Sequence, residues 1–272
     1  MTINGRPVHV SCEGSGEAVI CIHAAGSSGM QWHGIRDKLK DRYQVILPDL
    51  YGEGKTPALE DWSTLLDDET ALVSHLVDHS GGSAHLVGHS YGGVLAIKLA
   101  LNDRYRIKSI TVIEPVAFNL LDDHAGGIQE SLYEMRDACL EAMSNNDLQT
   151  AAQLFYSFWK GDPHSWHMLP KAAQCFMAGN MQKIMTGWQA IINDTITMDD
   201  IATISVPALI VSGSQSPATT RWICSQLARN IPGAKFQEIN GGGHMSPITH
   251  PEAVNEVVLN YIDNIETYTP LG

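Results

Sequence analysis

The chain has 272 residues, 44% of them hydrophobic, a formal net charge of −13 and five cysteines. That length and apolar fraction supply one substantial core with room for an insertion. The charge excludes a nucleic-acid partner, because phosphate binding takes clustered Lys and Arg and the 17 present here are scattered through an acidic chain.

The opening residues, MTINGRPVHVSCEG, show no basic segment leading into an apolar one, and no apolar run approaches the roughly 18 residues of a membrane span. A cytoplasmic protein without membrane contact is expected. Cys12, Cys21, Cys139, Cys175 and Cys224 form no Cys-x-x-Cys pair, so zinc and dithiol chemistry are set aside and the thiols are expected as reduced core residues.

In chain order, short β-branched runs alternate with helical patterns. The runs are PVHVSC, AVICIH, YQVILPD, AHLVGHS, IKSITVIEP, VPALIVSG and KFQEIN. Strands alternating with helices predict a mostly parallel sheet covered on both faces, and AVICIH and VPALIVSG are as uniformly apolar as such strands require. From Pro115 to about Ala202 the alternation stops and the text turns helical and rich in Met and aromatics, as in SLYEMRDACLEAM and AAQLFYSFWKGD. That break predicts a helical insertion over one end of the sheet. Beyond Tyr268 a frayed tail is expected.

Some fragments between these runs are set aside. GEGKTP contains Gly54-Lys55-Thr56, but Asp49 stands where a phosphate loop needs its first glycine. His75 and His79 are four apart without the glutamate of a zinc hydrolase or an evident third ligand, so no metal is expected. The acidic run EDWSTLLDDE is expected as a solvated helix face.

The chemistry concentrates in four motifs. Gly88-His89-Ser90-Tyr91-Gly92 follows an apolar run and precedes VLAIKLAL, the strand-to-helix context of a nucleophile elbow. The turn is tight enough to demand glycine on both sides, and it presents Ser90 at a helix start. HAAGSSGMQW puts a small-residue loop after an earlier strand, where the Ala25 N–H can join that of Tyr91 to hold an oxyanion. Near the end, GGGHMSP sets His244 on a glycine turn, able to act as the base an un-ionised serine needs. LPDLYGEG, with Asp49, lies between the first two.

Through these motifs, which follow one another along the chain as HAAGSSGMQW, LPDLYGEG, VGHSYGGV and GGGHMSP, the sequence resembles the α/β-hydrolase family. The resemblance implies a mostly parallel sheet of about eight strands flanked by helices, with the core in residues 1–115 and 203–272 and a helical cap in 116–202. It also implies a triad in the order serine, acid, histidine, with Asp49 bracing a loop and not taking part in catalysis. In most relatives the acid follows the strand after the cap, yet here VSGSQSP places Ser214, Gln215 and Ser216 there, and no Asp or Glu occurs from Ile201 to Gln237. The other family position, at the end of the preceding strand as in the dehalogenase branch, holds Glu114. Pro115 is expected to keep Glu114 extended, and a carboxylate closing an apolar strand needs a partner, which His244 can be. The alternative is that Glu114 only braces the hinge of the cap.

The expected activity is hydrolysis of small to medium carboxylic esters, or lactones, through an acyl-enzyme, with Ser90, His244 and Glu114 catalytic, Ala25 and Tyr91 donating to the oxyanion, and no cofactor. A carbon–carbon bond hydrolase of the meta-cleavage type stays open. It would want cationic cap groups, for which Lys160, Arg136 and Lys171 are the candidates. So does a ligand-binding homologue that has lost turnover. The number of subunits is not indicated.

Overall fold

A computed structural model describes residues 1–102, 106–121, 127–265 and 267. The tail from Tyr268 lies outside the described residues. The chain begins with a ribbon of β1 (Thr2–Ile3) and β2 (Arg6–Pro7), turned at Asn4 and Gly5, whose φ angles are 51° and 78°. The main sheet contains β3 (Val10–Glu13), β4 (Glu17–Ile22), β5 (Tyr43–Pro48), β6 (Ala84–His89), β7 (Ile107–Ile113), β8 (Ala208–Gly213) and β9 (Lys235–Ile239). Their spatial order is β3-β5-β4-β6-β7-β8-β9, with β3 antiparallel to β5 and every other neighbouring pair parallel.

Among the described residues this sheet has seven strands rather than about eight. The first residues double back at Asn4-Gly5 into their own ribbon instead of lengthening or joining the sheet.

The helices before β7 are α1 (His33–Leu39), α2 (Leu65–His79) and α3 (Tyr91–Asn102). Between β7 and β8 lie α4 (Glu130–Ser144), α5 (Leu148–Lys160), α6 (Ser165–Met168), α7 (Lys171–Ile192) and α8 (Met198–Ile201). After β8 come α9 (Ala218–Asn230), α10 (Ser246–Thr249) and α11 (Pro251–Asp263). The insertion is helical because its segments carry helix periodicity and end signals. In α5, for example, the Asp147 side chain accepts from Thr150 N–H at the start and Gly161 turns left-handed at the end, with φ of 70°.

Successive strand residues point to opposite faces, which sorts the core into two layers. Val19, Cys21, Val45, Leu47, Val87, Leu209 and Val211 pack with Ile35 and Leu39 of α1 and with Val254, Val257 and Val258 of α11. Ile20, Ile22, Leu86, Ile110, Val112 and Ile210 face the other way, toward α2, α3 and α9. Three cysteines are buried in these layers, but Cys12 and Cys175 are exposed, because β3 is an edge strand and Cys175 sits on an open face of α7. No described helix is long and apolar enough to cross a membrane.

The acidic run before and within α2 is not uniformly solvated. Glu69 is fully buried, because helical periodicity turns it inward with Leu65, Leu72 and Leu76.

Candidate active site

Parallel strands end at one edge, so the residues following β4, β6, β7, β8 and β9 converge there. Ser90 follows β6 directly and has φ of 55°, the strained conformation of a sharp strand-to-helix turn. The flanking glycines are steric requirements. A Cβ on Gly88 would lie 2.3 Å from the Gly92 carbonyl oxygen, and one on Gly92 would lie 2.4 Å from that of Ile22. His244, on the glycine turn after β9, brings Nε2 to 3.0 Å from Ser90 Oγ. Its Nδ1 faces Glu114 Oε2 at 3.4 Å. A carboxylate can only accept, so Nδ1 carries the hydrogen and Nε2 is left to receive the Ser90 proton.

Glu114 is completely buried. Its N–H extends the sheet ladder by donating to Val211 O at 2.9 Å, and the backbone then turns to φ of 50°. The expectation of an extended residue before Pro115 is therefore corrected. The turn swings the carboxylate sideways to the end of β8, where Oε1 accepts from Gly213 N–H at 2.5 Å, Ser216 Oγ at 2.8 Å and Ser212 Oγ at 3.0 Å. A positive φ costs a non-glycine residue about 1–3 kcal/mol. Hydrogen bonds to a charged group contribute about 1.5–3 kcal/mol each, so these donors outweigh the strain. Burial alone would push the Glu114 carboxyl up, but the hydrogen bond and charge of His244 and the Gly213 N–H outweigh it and hold it below the ordinary carboxylate range.

The stretch VSGSQSP thus surrounds an acid without containing one. Ser212 and Ser216 ligate the carboxylate from β7, whereas Gln215 is exposed and only its backbone is used, its N–H donating to Gly242 O at 2.8 Å. Ala25 and Tyr91 border the same cavity as Ser90 and His244, and neither backbone N–H is taken by another group among the described residues. The structure brings all five sequence-predicted residues to one place.

The model of the alpha/beta hydrolase family matches residues 19–257. The chain belongs to the alpha/beta hydrolase family. It is 24% identical over 266 residues to a putative carbamate hydrolase RutD of Azorhizobium caulinodans, covering 95% of this chain and 96% of the relative. It is likewise 24% identical to 3-oxoadipate enol-lactonase 1 of Acinetobacter baylyi, covering 96% and 95%. The crystal structure of the enol-lactonase from Burkholderia xenovorans LB400 superposes with a TM-score of 0.76 at 20% identity, over 96% of this chain and 98% of that one, a likeness of fold. These relatives are named hydrolases of differing substrates.

In this alpha/beta hydrolase the cavity beside Ser90 has a volume of about 290 Å³. Phe118, Phe155, Trp159, Phe176, Met177 and Trp188 form much of its wall, so part of the Met and aromatic text of the insertion faces the site. Trp159 lies over the His244 ring with centroids 4.2 Å apart, walling off the imidazole from water. Of the three cationic candidates in the insertion, Lys160 borders the cavity and Arg136 and Lys171 do not.

Two residues not singled out in the sequence, His89 and Gln31, hold the backbone of His244. His89 is fully buried, and burial, with the nearby His244, holds it down at about 3, so it is neutral. Its Nε2–H donates to the His244 carbonyl at 2.8 Å, Gln31 Nε2 donates to its Nδ1 at 3.0 Å, and Gln31 Oε1 accepts from Ala24 N–H at 3.2 Å. These hydrogen bonds tie the loop of Ala24 and Ala25 to the loop of His244 through His89, the second residue of the elbow motif. No local pattern marks this role, because Gln31 and His89 stand 58 positions apart and pair only in the fold.

Proposed function

We propose that this alpha/beta hydrolase cleaves carboxylic esters with Ser90 as nucleophile, His244 as general base and acid, and Glu114 as the acid of the triad. Ser90 Oγ attacks the acyl carbon as His244 Nε2 takes its proton, and the carbonyl oxygen becomes an oxyanion held by the N–H groups of Ala25 and Tyr91. His244 then gives the proton to the departing alcohol, leaving an acyl-serine. Water, deprotonated by the same nitrogen, releases the acid and restores Ser90. Glu114 keeps the reactive tautomer and stabilises the imidazolium. The insertion, residues 116–202, serves as the cap and supplies most of the acyl or aryl pocket, with 1–115 and 203–272 as the core.

The observation that carries this reading is the proton path, Ser90 Oγ to His244 Nε2 at 3.0 Å with Glu114 behind Nδ1. The cavity wall, apolar and aromatic with one lysine among its residues, favours neutral esters or lactones of small to medium size over substrates bearing a carboxylate.

The test is labelling by a fluorophosphonate together with p-nitrophenyl butyrate turnover. Wild type is expected to take one label on Ser90 and turn over the ester, and Ser90→Ala to do neither. An inert, unlabelled wild type would refute the esterase reading and leave a ligand-binding role.

A further inference from the structure

Behind the oxyanion loop lies a buried ionic cluster that the steps above do not use. Lys183 of α7 is 4% exposed, and its Nζ donates to Glu53 Oε2 at 2.6 Å with Glu69 Oε1 at 3.4 Å. Glu53, from the fragment GEGKTP, and Glu69 of α2 are both enclosed. Burying such ions costs several kcal/mol apiece, and well-packed apolar side chains of similar size would hold α7 in place at least as well. The surroundings of Lys183 on α7, Met181, Ile184 and Met185, are indeed apolar. The charges therefore call for a use beyond adhesion.

Their contacts supply one. The other oxygen of Glu53 accepts a hydrogen bond from Gly26 N–H, in the peptide that follows Ala25. The peptide that precedes Ala25 is held by His23, whose Nδ1–H donates to Ala24 O at 2.8 Å while its Nε2 accepts from Leu50 N–H at 3.0 Å. Both peptide planes flanking Ala25 are thus fastened, which aims the Ala25 N–H. On the opposite side Lys183 Nζ stands 4.8 Å from the centre of the Tyr91 ring, and a Cβ on Gly187, one turn along α7, would lie 3.1 Å from that ring. Ile184, between them, abuts Gly26, where a Cβ would meet its Cδ1 at 3.1 Å. One face of α7 therefore packs on the Tyr91 ring and on Gly26, the residue after Ala25.

We propose that Lys183 and Glu53 are positioning residues of the oxyanion pocket. Lys183 holds Glu53 against the Gly26 N–H and packs on Tyr91, so that the Ala25 and Tyr91 N–H groups converge only while α7 is docked. The inference rests on the esterase reading of the site. Burial pushes the Glu69 carboxyl up to about 7, whereas for Lys183 the opposing effect of burial is outweighed by the two glutamates, which hold the ammonium above its ordinary value. Lys183 thus stays charged, with Glu53 as its nearer partner.

The experiment uses the full chain and compares wild type, Glu53→Asp and the charge-balanced double variant Glu53→Gln/Lys183→Met. Each is followed by p-nitrophenyl butyrate kinetics, thermal unfolding and inhibition by two probes. Butylboronic acid forms a tetrahedral adduct whose oxygen occupies the oxyanion position, whereas butyl 4-nitrophenyl ether only fills the cavity. Glu53→Asp keeps a negative charge in the cluster, within reach of the flexible Lys183 side chain, but withdraws the carboxylate from the Gly26 N–H by one methylene. Misplacing one donor by about 1 Å costs on the order of 100-fold. Both variants are expected to lose about 30- to 100-fold in kcat with KM within about twofold, to lose boronate affinity by a similar factor, and to keep ether affinity. A kcat within about twofold of wild type in the folded Glu53→Asp protein would overturn the proposal. So would equal losses for boronate and ether that track a fall in Tm, since that is the behaviour of a tether alone. A wild type without turnover would bring down the esterase reading and this inference with it, whereas an active wild type with silent variants brings down this inference only.

Discussion

Replacing Glu114 by Gln removes one charge and, through it, one tautomer. Oε1 of Glu114 faces the N–H of Gly213 and the hydroxyls of Ser212 and Ser216, and the Gly213 N–H can only donate. The oxygen of a glutamine must therefore occupy that side, which turns the NH2 group toward His244 Nδ1. An NH2 group cannot accept, so Nδ1 loses its hydrogen and Nε2 gains one, pointing a donor at Ser90 Oγ where a base is needed. The imidazolium formed during attack also loses its counter-charge. Both effects together predict a loss in kcat of about ten-thousand-fold, or about 5 kcal/mol in the transition state. Folding should survive, since the donors at the end of β8 keep an acceptor, and Tm should stay within about 5 °C of wild type. The assay is steady-state hydrolysis of p-nitrophenyl acetate and butyrate by wild type and Glu114→Gln, with circular dichroism and thermal melts on the same samples. A folded variant that keeps more than about a tenth of the wild-type kcat would refute the reasoning and leave Glu114 as a hinge brace.

Gln215→Ala is expected to stay within about twofold of wild type in kcat/KM, because its side chain is exposed and the carboxylate facing His244 is that of Glu114. A tenfold or greater loss in the same ester assay would return the stretch after β8 to the orienting role. Gly88→Ala should yield no stably folded protein, at a cost above about 4 kcal/mol, because its Cβ would sit 2.3 Å from a backbone oxygen that cannot move without breaking the elbow. Recovery of a soluble variant with an unchanged melt would contradict that geometry. Glu69 gives a pH-dependent test. Its carboxyl is raised from 4.5 to about 7 in the fold, so the folded state keeps a proton that the unfolded chain releases. The stabilisation is complete below about 4.5 and is lost as pH rises to about 7, amounting to about 3 kcal/mol. Urea unfolding at pH 5 and pH 8 should show Glu69→Gln gaining about that much on wild type at the higher pH. An equal difference at both values would show that Glu69 is not held protonated.

Local pattern was enough to read the parallel sheet, the helical insertion and the elbow at Ser90. Alternation of β-branched runs follows from burial on both faces of a strand, and Gly88 and Gly92 mark a turn in which any side chain collides with backbone. His244 could be located because a glycine turn after the final strand leaves few other routes to the sheet edge. The tertiary structure alone decided what meets across strands. Glu114 reaches the end of β8 because β7 and β8 are neighbours and its backbone turns to φ of 50°, a conformation that the residue before a proline does not advertise. The burial of Glu69, the charge of Lys183 inside an apolar helix face and the support of His244 by His89 and Gln31 were equally invisible along the chain. Periodicity is a property of neighbours in sequence, and a composition read along one segment reports how that segment faces solvent on average. Pairing of charges and hydrogen bonds joins residues more than 100 positions apart, as for Glu114 with His244 and Lys183 with Glu53, and only the packed fold brings such partners together.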